Sequence, residues 1–189
     1  MSKFISNISS IIDIDHLISH LEDTAPGIIV RADMINNKVN DPTYPTYPGE
    51  IEHDNAVLKM WNDANYDFKS AWWYLYRSDD HYSKEAEAQI CKFLNIELMW
   101  SSVFRIDPGC NAPLHREYGP NIELEKEVRY FCQLNPAAPG QVLVVGDETF
   151  SNLKVGDMYE WDHVTQYHAA ANCGLEPVYY IFIQGVSLD

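Results

Sequence analysis

The stretch that decides the fold is EVRYFCQLNPAAPGQVLVVGD, residues 127–147. Two runs rich in apolar residues, 127–134 and 141–145, flank a segment of Asn, Pro, Ala and Gly, and a Gly-Asp pair ends the second run. Polar and apolar residues that alternate with a period of two predict strands, and Pro and Gly between such runs predict turns. The stretch therefore predicts two short strands joined by a turn.

The same pattern extends in both directions, from residue 96 to the end of the chain. It predicts further strands at 98–106, 150–153, 158–161, 166–171 and 178–183, with turn residues between them. Many short strands at this spacing are typical of a sandwich or a barrel. Because helices come first and strands afterwards, we expect a β-barrel with helical support on one side.

The first half of the chain has helical rather than alternating periodicity. We predict helices at 8–22, at 54–66 with a cap at Asp54-Asn55, and from a Ser83 cap to Leu94, with short strands at 28–32 and 71–76. The length of 189 residues suits one domain, 1–189. In that domain, 1–95 would form a mixed support region and 96–189 the core of strands.

Composition narrows the classes of partner. The formal net charge of −15 argues against nucleic acid and anionic membrane surfaces, because both attract basic patches. It favours a neutral or cationic substrate without naming one. The four cysteines form no C-x-x-C pair, and the chain has neither a signal-peptide pattern nor a run of eighteen apolar residues. We therefore expect free thiols in a reducing cytoplasm.

Three residues form a candidate metal site. His115 and Glu117 are spaced H-x-E, and His168 lies much further along the chain. Residues i and i+2 of a strand point to the same face, so an H-x-E at a strand end offers one imidazole and one carboxylate to a single point. A histidine from a neighbouring strand would complete the two-histidine, one-carboxylate set of non-haem Fe(II) oxygenases.

Other interpretations of the histidines stay open at this point. An H-x-E also arises by chance in a chain with seven histidines. His16 and His20, four residues apart on a predicted helix, either share a metal or form part of a solvated polar face. His163, which follows Asp162, is an alternative ligand.

The last half of the chain resembles the aspartyl/asparaginyl β-hydroxylases. The resemblance covers about 85 residues and consists of six motifs in the family's order. They are Asp107-Pro108-Gly109, His115-Arg116-Glu117, the run from Arg129 to Asn135, Val155-Gly156-Asp157, Trp161-Asp162, and the run from His168 to Asn172.

The resemblance implies an α+β chain with a cupin-like double-stranded β-helix and supporting N-terminal helices. It implies that His115, Glu117 and His168 bind Fe(II), and that Arg129 pairs with a carboxylate of the cosubstrate 2-oxoglutarate, for which a guanidinium offers a bidentate fork. The reaction couples oxidative decarboxylation of 2-oxoglutarate to hydroxylation of a C–H bond. Asp162 and Asn172 would support the ligands or the turns.

Three positions depart from the family pattern. Val178 stands where the family has a second arginine for 2-oxoglutarate, Phe131 replaces a histidine, and the carboxylate is glutamate rather than aspartate. Arg129 would then hold the cosubstrate alone or with help from Ser101 or Tyr180, unless Arg105 takes the role. Alternatively, Arg129 is an ordinary surface residue beside several glutamates.

Two other functions compete with a hydroxylase. One is a cupin-like module that binds a metal or ligand without turnover, as Val178 and Phe131 suggest. The other is an interaction protein whose contact surface is the Tyr-Pro segment 42–49. Members of the family act on protein side chains and on small molecules, and short relatives are typical of bacteria and phages. The sequence fixes neither the substrate nor the oligomeric state.

Overall fold

The computed structural model describes residues 1–24, 28–31, 50–64, 72–76, 81–115, 126–161 and 166–189. These ranges contain eleven strands and three α-helices, and a 3-10 turn over Ile8–Ser10. In chain order the elements are β1 (Lys3–Asn7), α1 (Ile14–Thr24), β2 (Ile28–Arg31), α2 (Glu50–Asp63), β3 (Trp72–Tyr76), α3 (His81–Leu94), β4 (Ile96–Ile106), β5 (Asn111–His115), β6 (Glu127–Gln133), β7 (Gln141–Val145), β8 (Glu148–Phe150), β9 (Asp157–Glu160), β10 (His168–Asn172) and β11 (Val178–Ser187).

The strands form two antiparallel sheets. The large sheet has the order β1-β9-β6-β11-β4-β3-β2, and the small sheet has the order β5-β10-β7-β8. From β4 onward the chain passes back and forth between the sheets. As a result, β4 faces β5, β11 faces β10, β6 faces β7, and β9 faces β8. This is the strand order of a cupin-type double-stranded β-helix, and the predicted α+β fold with supporting helices is confirmed.

One face of the large sheet packs against the helices. Apolar residues of the 3-10 turn, α1 and α3 meet apolar residues that alternate along the strands, among them Ile8, Leu17, Leu21, Ile90, Val103, Cys132 and Met158. The apolar spacing of α1 gives it one buried stripe, which is the face that meets the sheet. We call this cluster the helix-side core.

The other face of the large sheet meets the small sheet. Its buried apolar residues alternate with those of the helix-side core, as a period of two requires: Phe131 faces the small sheet, whereas Cys132 faces the helices. Ile106, Leu143, Val145 and Tyr180 also belong to this inter-sheet core. The interior of the double-stranded β-helix therefore lies between the two sheets.

The support region 1–95 contributes strands as well as helices to the large sheet. β1 pairs with β9 at one edge, and β3 and β2 extend the sheet beyond β4 at the other. β2 and β3 lie at nearly their predicted bounds, whereas β1 is not among the predicted strands. None of the described helices is both long enough and apolar enough to cross a membrane.

The predicted starts of all three helices are wrong. α1 begins at Ile14 rather than at residue 8, because the side chain of Asp13 accepts the His16 N–H at 3.0 Å and caps the helix there. α2 begins at Glu50, so the predicted caps Asp54 and Asn55 lie within the helix. α3 begins at His81, and Ser83 likewise lies inside it.

One strand was predicted too far towards the C-terminus. We predicted a strand at 150–153, but β8 occupies Glu148–Phe150 because a turn of only two residues, Gly146 and Asp147, follows β7. Val145 is then the register partner of Glu148, and Gly146 takes a φ of +59°, which glycine adopts readily.

Candidate metal centre and its pocket

Two of the three predicted metal ligands lie side by side. His115 ends β5 and His168 begins β10, and the two residues are register partners in the small sheet. Their ring centroids are 4.2 Å apart. The fold thus brings together two imidazoles that are 53 positions apart in the sequence, an arrangement that a chance H-x-E would not require.

Backbone carbonyls fix the orientation of both rings. Nδ1 of His115 lies 2.7 Å from the carbonyl oxygen of Pro113, and Nδ1 of His168 lies 3.2 Å from that of Gln166. A carbonyl only accepts hydrogen bonds, so Nδ1 carries a proton in each ring, and Nε2 is the nitrogen left to bind a metal. Two imidazoles held in this way form a donor set that fits a divalent transition metal.

Aromatic rings pack against both histidines. Trp161 contacts His168 in a T-shaped arrangement with centroids 4.5 Å apart, and Trp61 contacts His115 at 6.3 Å. Nε1 of Trp61 donates to the carbonyl of Leu114 at 2.9 Å, which ties α2 to the end of β5. His168 is buried. The two rings are therefore held in place by packing as well as by hydrogen bonds.

The predicted carboxylate ligand, Glu117, lies outside the described residues, as do Asp162 and His163. Within the described part of the chain, no three side chains of His, Cys, Asp or Glu cluster as a metal site. The roles of these three residues stay predictions. His16 and His20 on α1 are 6.3 Å apart between ring centroids. They lie away from β5 and β10 in the fold, on the helix that packs against the large sheet.

Arg129 is buried rather than a surface residue, so the alternative interpretation of it is wrong. Its Nε and Nη2 both donate to Oε1 of Glu127 at 3.2 Å, and Nε2 of Gln184 donates to the same oxygen at 2.6 Å. Neither Glu127 nor Gln184 is among the predicted site residues. The E-x-R spacing on one strand was the available signal, since i and i+2 share a face.

Arg129 and the two histidines line one pocket between the sheets. The pocket has a volume of about 630 Å³, its open mouth included. Most of the remaining lining is apolar and aromatic, from Trp100, Phe104, Leu143, Trp161 and Phe182. A pocket with a few polar groups in an apolar wall is typical of sites for small organic ligands.

Three other candidates for cosubstrate binding lie elsewhere. The Ser101 hydroxyl donates to Glu87 of α3, on the helix-facing side of β4. Arg105 is on that side too, where it pairs with Glu22 at 3.0 Å and with Asp107 at 2.7 Å. Tyr180 faces the small sheet within the inter-sheet core, where burial raises the pKa of its hydroxyl. The structure therefore brings only Arg129 of these four residues to the histidines' pocket.

The two apolar departures from the family pattern are core residues. Val178 and Phe131 are both fully buried in the inter-sheet core. Phe131 stacks on Tyr159 with centroids 5.4 Å apart. Neither position supplies a polar group to the pocket.

Asn172 stabilises the turn after β10, as predicted. Its Nδ2 donates to the carbonyls of Ile106 at 2.9 Å and Glu176 at 2.7 Å, and its Oδ1 accepts from the N–H of Gly174 at 2.9 Å. The side chain thereby joins the end of β4 to the β10–β11 turn. β10, which carries His168 at its other end, is anchored by these bonds.

The cysteines are free thiols, as predicted. Cys110 and Cys132 lie nearest the site in sequence, and both are buried. Burial, with a smaller effect from Asp107, raises the pKa of Cys110 to about 11, and burial also raises that of Cys132. Both thiols are therefore protonated at neutral pH and poor nucleophiles.

Comparison with known proteins reveals likenesses of fold only. No family model and no curated protein matches the sequence. Among solved structures, a predicted oxalate decarboxylase from Thermotoga maritima aligns with 16% identity and a TM-score of 0.40 over 61% of this chain and 82% of that one. A cupin-superfamily sugar phosphate isomerase from Silicibacter pomeroyi aligns with 16% identity and a TM-score of 0.39 over 61% and 60%. A cupin domain from Bordetella pertussis aligns with 13% identity and a TM-score of 0.34 over 49% and 92%. None of the three is named as a β-hydroxylase.

Proposed function

We propose that this chain is an Fe(II)- and 2-oxoglutarate-dependent hydroxylase acting on a C–H bond of a small molecule or a protein side chain. The observation that carries the proposal is the pair His115 and His168, in register on adjacent strands with both Nδ1 atoms bonded to carbonyls, in one pocket with Arg129. The resemblance of the motif order to the β-hydroxylases supports the same assignment.

The histidines would hold the iron, with Glu117 as the predicted third ligand. Bound Fe(II), together with 2-oxoglutarate and O₂, supplies the oxidising chemistry of such enzymes. The chain's own contribution is orientation. The carbonyls of Pro113 and Gln166 keep both Nδ1 atoms protonated, and the packed indole of Trp161 excludes water from one side of His168.

Arg129 would bind a carboxylate of 2-oxoglutarate. A guanidinium has five N–H donors, enough to bond Glu127 and a ligand carboxylate together. Glu127 and Gln184 would act as positioning residues, because both meet at one carboxylate oxygen beside the guanidinium. The charge of Glu127 offsets part of that of Arg129, so we expect a cosubstrate affinity at the weak end for this class. A reducing cytoplasm, which keeps iron in the Fe(II) state, is the compartment that the proposal requires.

The second candidate is a metal-binding cupin module without turnover. Val178, at the place of the family's second arginine, favours it, because a buried valine offers 2-oxoglutarate no hydrogen bond. The same site would then bind iron but not the cosubstrate.

An anaerobic titration with Fe(II) and then 2-oxoglutarate tests the proposal. We expect the weak visible charge-transfer band of the chelated complex in the wild-type chain. The band and the iron should both be lost in His168→Ala, whereas Arg129→Met should keep iron and lose the band. His16→Ala, which changes an exposed residue of α1, is the matched control and should behave as wild type. No iron binding by the wild-type chain would refute both candidates, and iron binding without the band would support the second.

A further inference from the structure

Gln184 of β11 supplies the one carboxamide side chain among the described residues that line the pocket. Its register partners are Arg129 on β6 and Trp100 on β4, and both of them line the pocket too. Register partners in an antiparallel sheet present their side chains on the same face. The side chain of Gln184 therefore lies on the pocket side of the large sheet, between a guanidinium and an indole.

Glu127 fixes the orientation of this amide. Nε2 of Gln184 donates to Oε1 of Glu127 at 2.6 Å, and Arg129 donates to the same oxygen. A carboxylate oxygen paired with a guanidinium only accepts hydrogen bonds, so the amide turns its nitrogen, and not its oxygen, towards Glu127. Glu127 is not among the residues that line the pocket. Of the two polar atoms of the amide, Oε1 is therefore the one left on the pocket side.

The amide oxygen of Gln184 is an accessible acceptor. The residue is half-buried, and its oxygen has no hydrogen-bond partner among the residues that the structure describes. The oxygen keeps surface that water can reach, since it is not one of the unpaired polar atoms that packing closes off. A ligand that displaces water from this oxygen must bring its own donor, because an acceptor left unpaired on burial costs free energy.

The surroundings of this oxygen favour an uncharged donor over a cation. None of the described lining residues is acidic, and the guanidinium of Arg129 lies beside the amide. An ammonium group that leaves water for a single amide oxygen in an apolar pocket would lose more free energy than it gains, whereas an O–H or N–H group loses little. 2-Oxoglutarate carries no donor at neutral pH, so Gln184 matches a different ligand of the pocket.

We propose that Gln184 selects a ligand with an uncharged O–H or N–H group on an aromatic body, and that Oε1 of Gln184 accepts the hydrogen bond from this group. The body would pack against the aromatic lining, in which Phe104 meets Trp100 at 6.0 Å and Phe182 at 5.0 Å between ring centroids. The assignment of this ligand as the hydroxylated substrate rests on the proposed function, but its binding does not.

Two probes separate the role of the donor from that of the ring. p-Cresol carries one O–H group on an aromatic ring, and its O-methyl ether has the same ring and oxygen without the donor. We would titrate each probe into the full-length chain without added metal, because phenols also bind iron, and follow the side-chain carbonyl ¹³C and amide ¹H–¹⁵N signals of Gln184. We expect these signals to shift with p-cresol and to stay unchanged with the ether.

The Gln184→Met variant then tests the acceptor itself, because methionine keeps the length of the side chain and removes the amide. p-Cresol should bind about 5- to 10-fold more weakly to the variant, as expected for one lost hydrogen bond. The ether should bind to both proteins within about 2-fold, which also shows that the pocket is intact. Thr149→Val, which removes a hydroxyl from an exposed position of β8, is the control and should bind both probes as the wild type does. If Gln184→Met does not fold, the difference between the two probes in the wild-type signals still decides.

A third probe separates the two possible sources of the ligand. N-acetyltyrosinamide carries the phenol of p-cresol on a peptide-like backbone. An affinity above that of p-cresol, and equally dependent on Gln184, would identify a protein side chain as the ligand. An affinity below that of p-cresol would identify a small molecule.

The outcomes are distinct from those of the iron titration. If p-cresol did not bind, or if Gln184→Met weakened both probes equally, the proposal would be overturned even if iron and 2-oxoglutarate bind. Discrimination between the probes by Gln184 in a chain that binds no iron would keep the ligand site and remove the hydroxylase.

Discussion

The two faces of the large sheet use the same strands for different purposes. On β4 and β6, the residues that face the helices, such as Val103 and Cys132, belong to an apolar core. The residues in the alternate positions, such as Ser102 and Arg129, are buried polar groups on the pocket side. Buried polar groups cost stability unless they are paired. The helix-side core therefore stabilises the sheet, whereas the pocket side carries polar groups suited to a ligand.

Two arginines illustrate the difference. Arg105 faces the helices, and its side chain is 28% exposed beside a Glu22 that is 41% exposed. Arg129 faces the pocket, and its side chain is 10% exposed beside a Glu127 that is 2% exposed. The same pair of charges is solvated in one place and desolvated in the other, so we expect the two pairs to differ in their contribution to folding.

The largest effect is expected from Arg129→Met. This change leaves the carboxylate of Glu127 buried without its cation, and we expect the free energy of unfolding to fall by about 3–5 kcal/mol in urea denaturation. The double variant Glu127→Gln/Arg129→Met should recover most of this loss, because no buried charge remains. If Arg129→Met proved as stable as Arg105→Met, that result would contradict the contrast between the two faces.

An intermediate effect is expected when the helix-side core is broken instead. Ile90 of α3 is fully buried in that core, and Ile90→Ala should lower the free energy of unfolding by about 3 kcal/mol, with Ile90→Val as a milder control at about 1 kcal/mol. Iron binding should be unchanged well below the melting temperature. A weakened affinity for iron would show that the two faces are not independent.

The smallest effect is expected from Arg105→Met. Its ion pairs with Glu22 and Asp107 are partly exposed, so we expect a loss of about 1 kcal/mol or less that shrinks as salt is added. Thermal melts at low and high ionic strength measure both features. A loss as large as that for Arg129→Met, or one insensitive to salt, would mean that exposure is not what separates the two arginines.

Much of the fold follows from local patterns in the sequence. β7 has the predicted bounds because Pro139-Gly140 and Gly146-Asp147 enclose a short apolar run. The start of α1 does not follow, because apolar spacing continues across residues 8–12 while the backbone forms a 3-10 turn over Ile8–Ser10. β1 was missed for a related reason: its partner β9 is about 150 positions away, and no local pattern records such a pairing.

The candidate site divides in the same way. The H-x-E spacing and the motif order were sufficient to select His115 and His168, and Arg129 through the resemblance. The contact of Gln184 with Glu127 was not predictable, because Gln184 reaches Glu127 only through the register of β11 with β6. That Nε1 of Trp161 finds no hydrogen-bond partner among the described residues is likewise a property of the packed interior, since sequence spacing does not show which donors find acceptors.

An exposed thiol, that of Cys173, lies at the end of β10 opposite to His168. Cys173 directly follows the strand, whereas the other three thiols are buried. Burial raises the pKa of both the Cys91 and the Cys110 thiol to about 11. A maleimide spin label added at neutral pH should therefore attach at this one position. Five residues of strand place the label roughly 17 Å from the histidines. A paramagnetic ion bound between the two histidines would shorten the label's relaxation time at this distance, so the relaxation time would report whether the metal site is occupied.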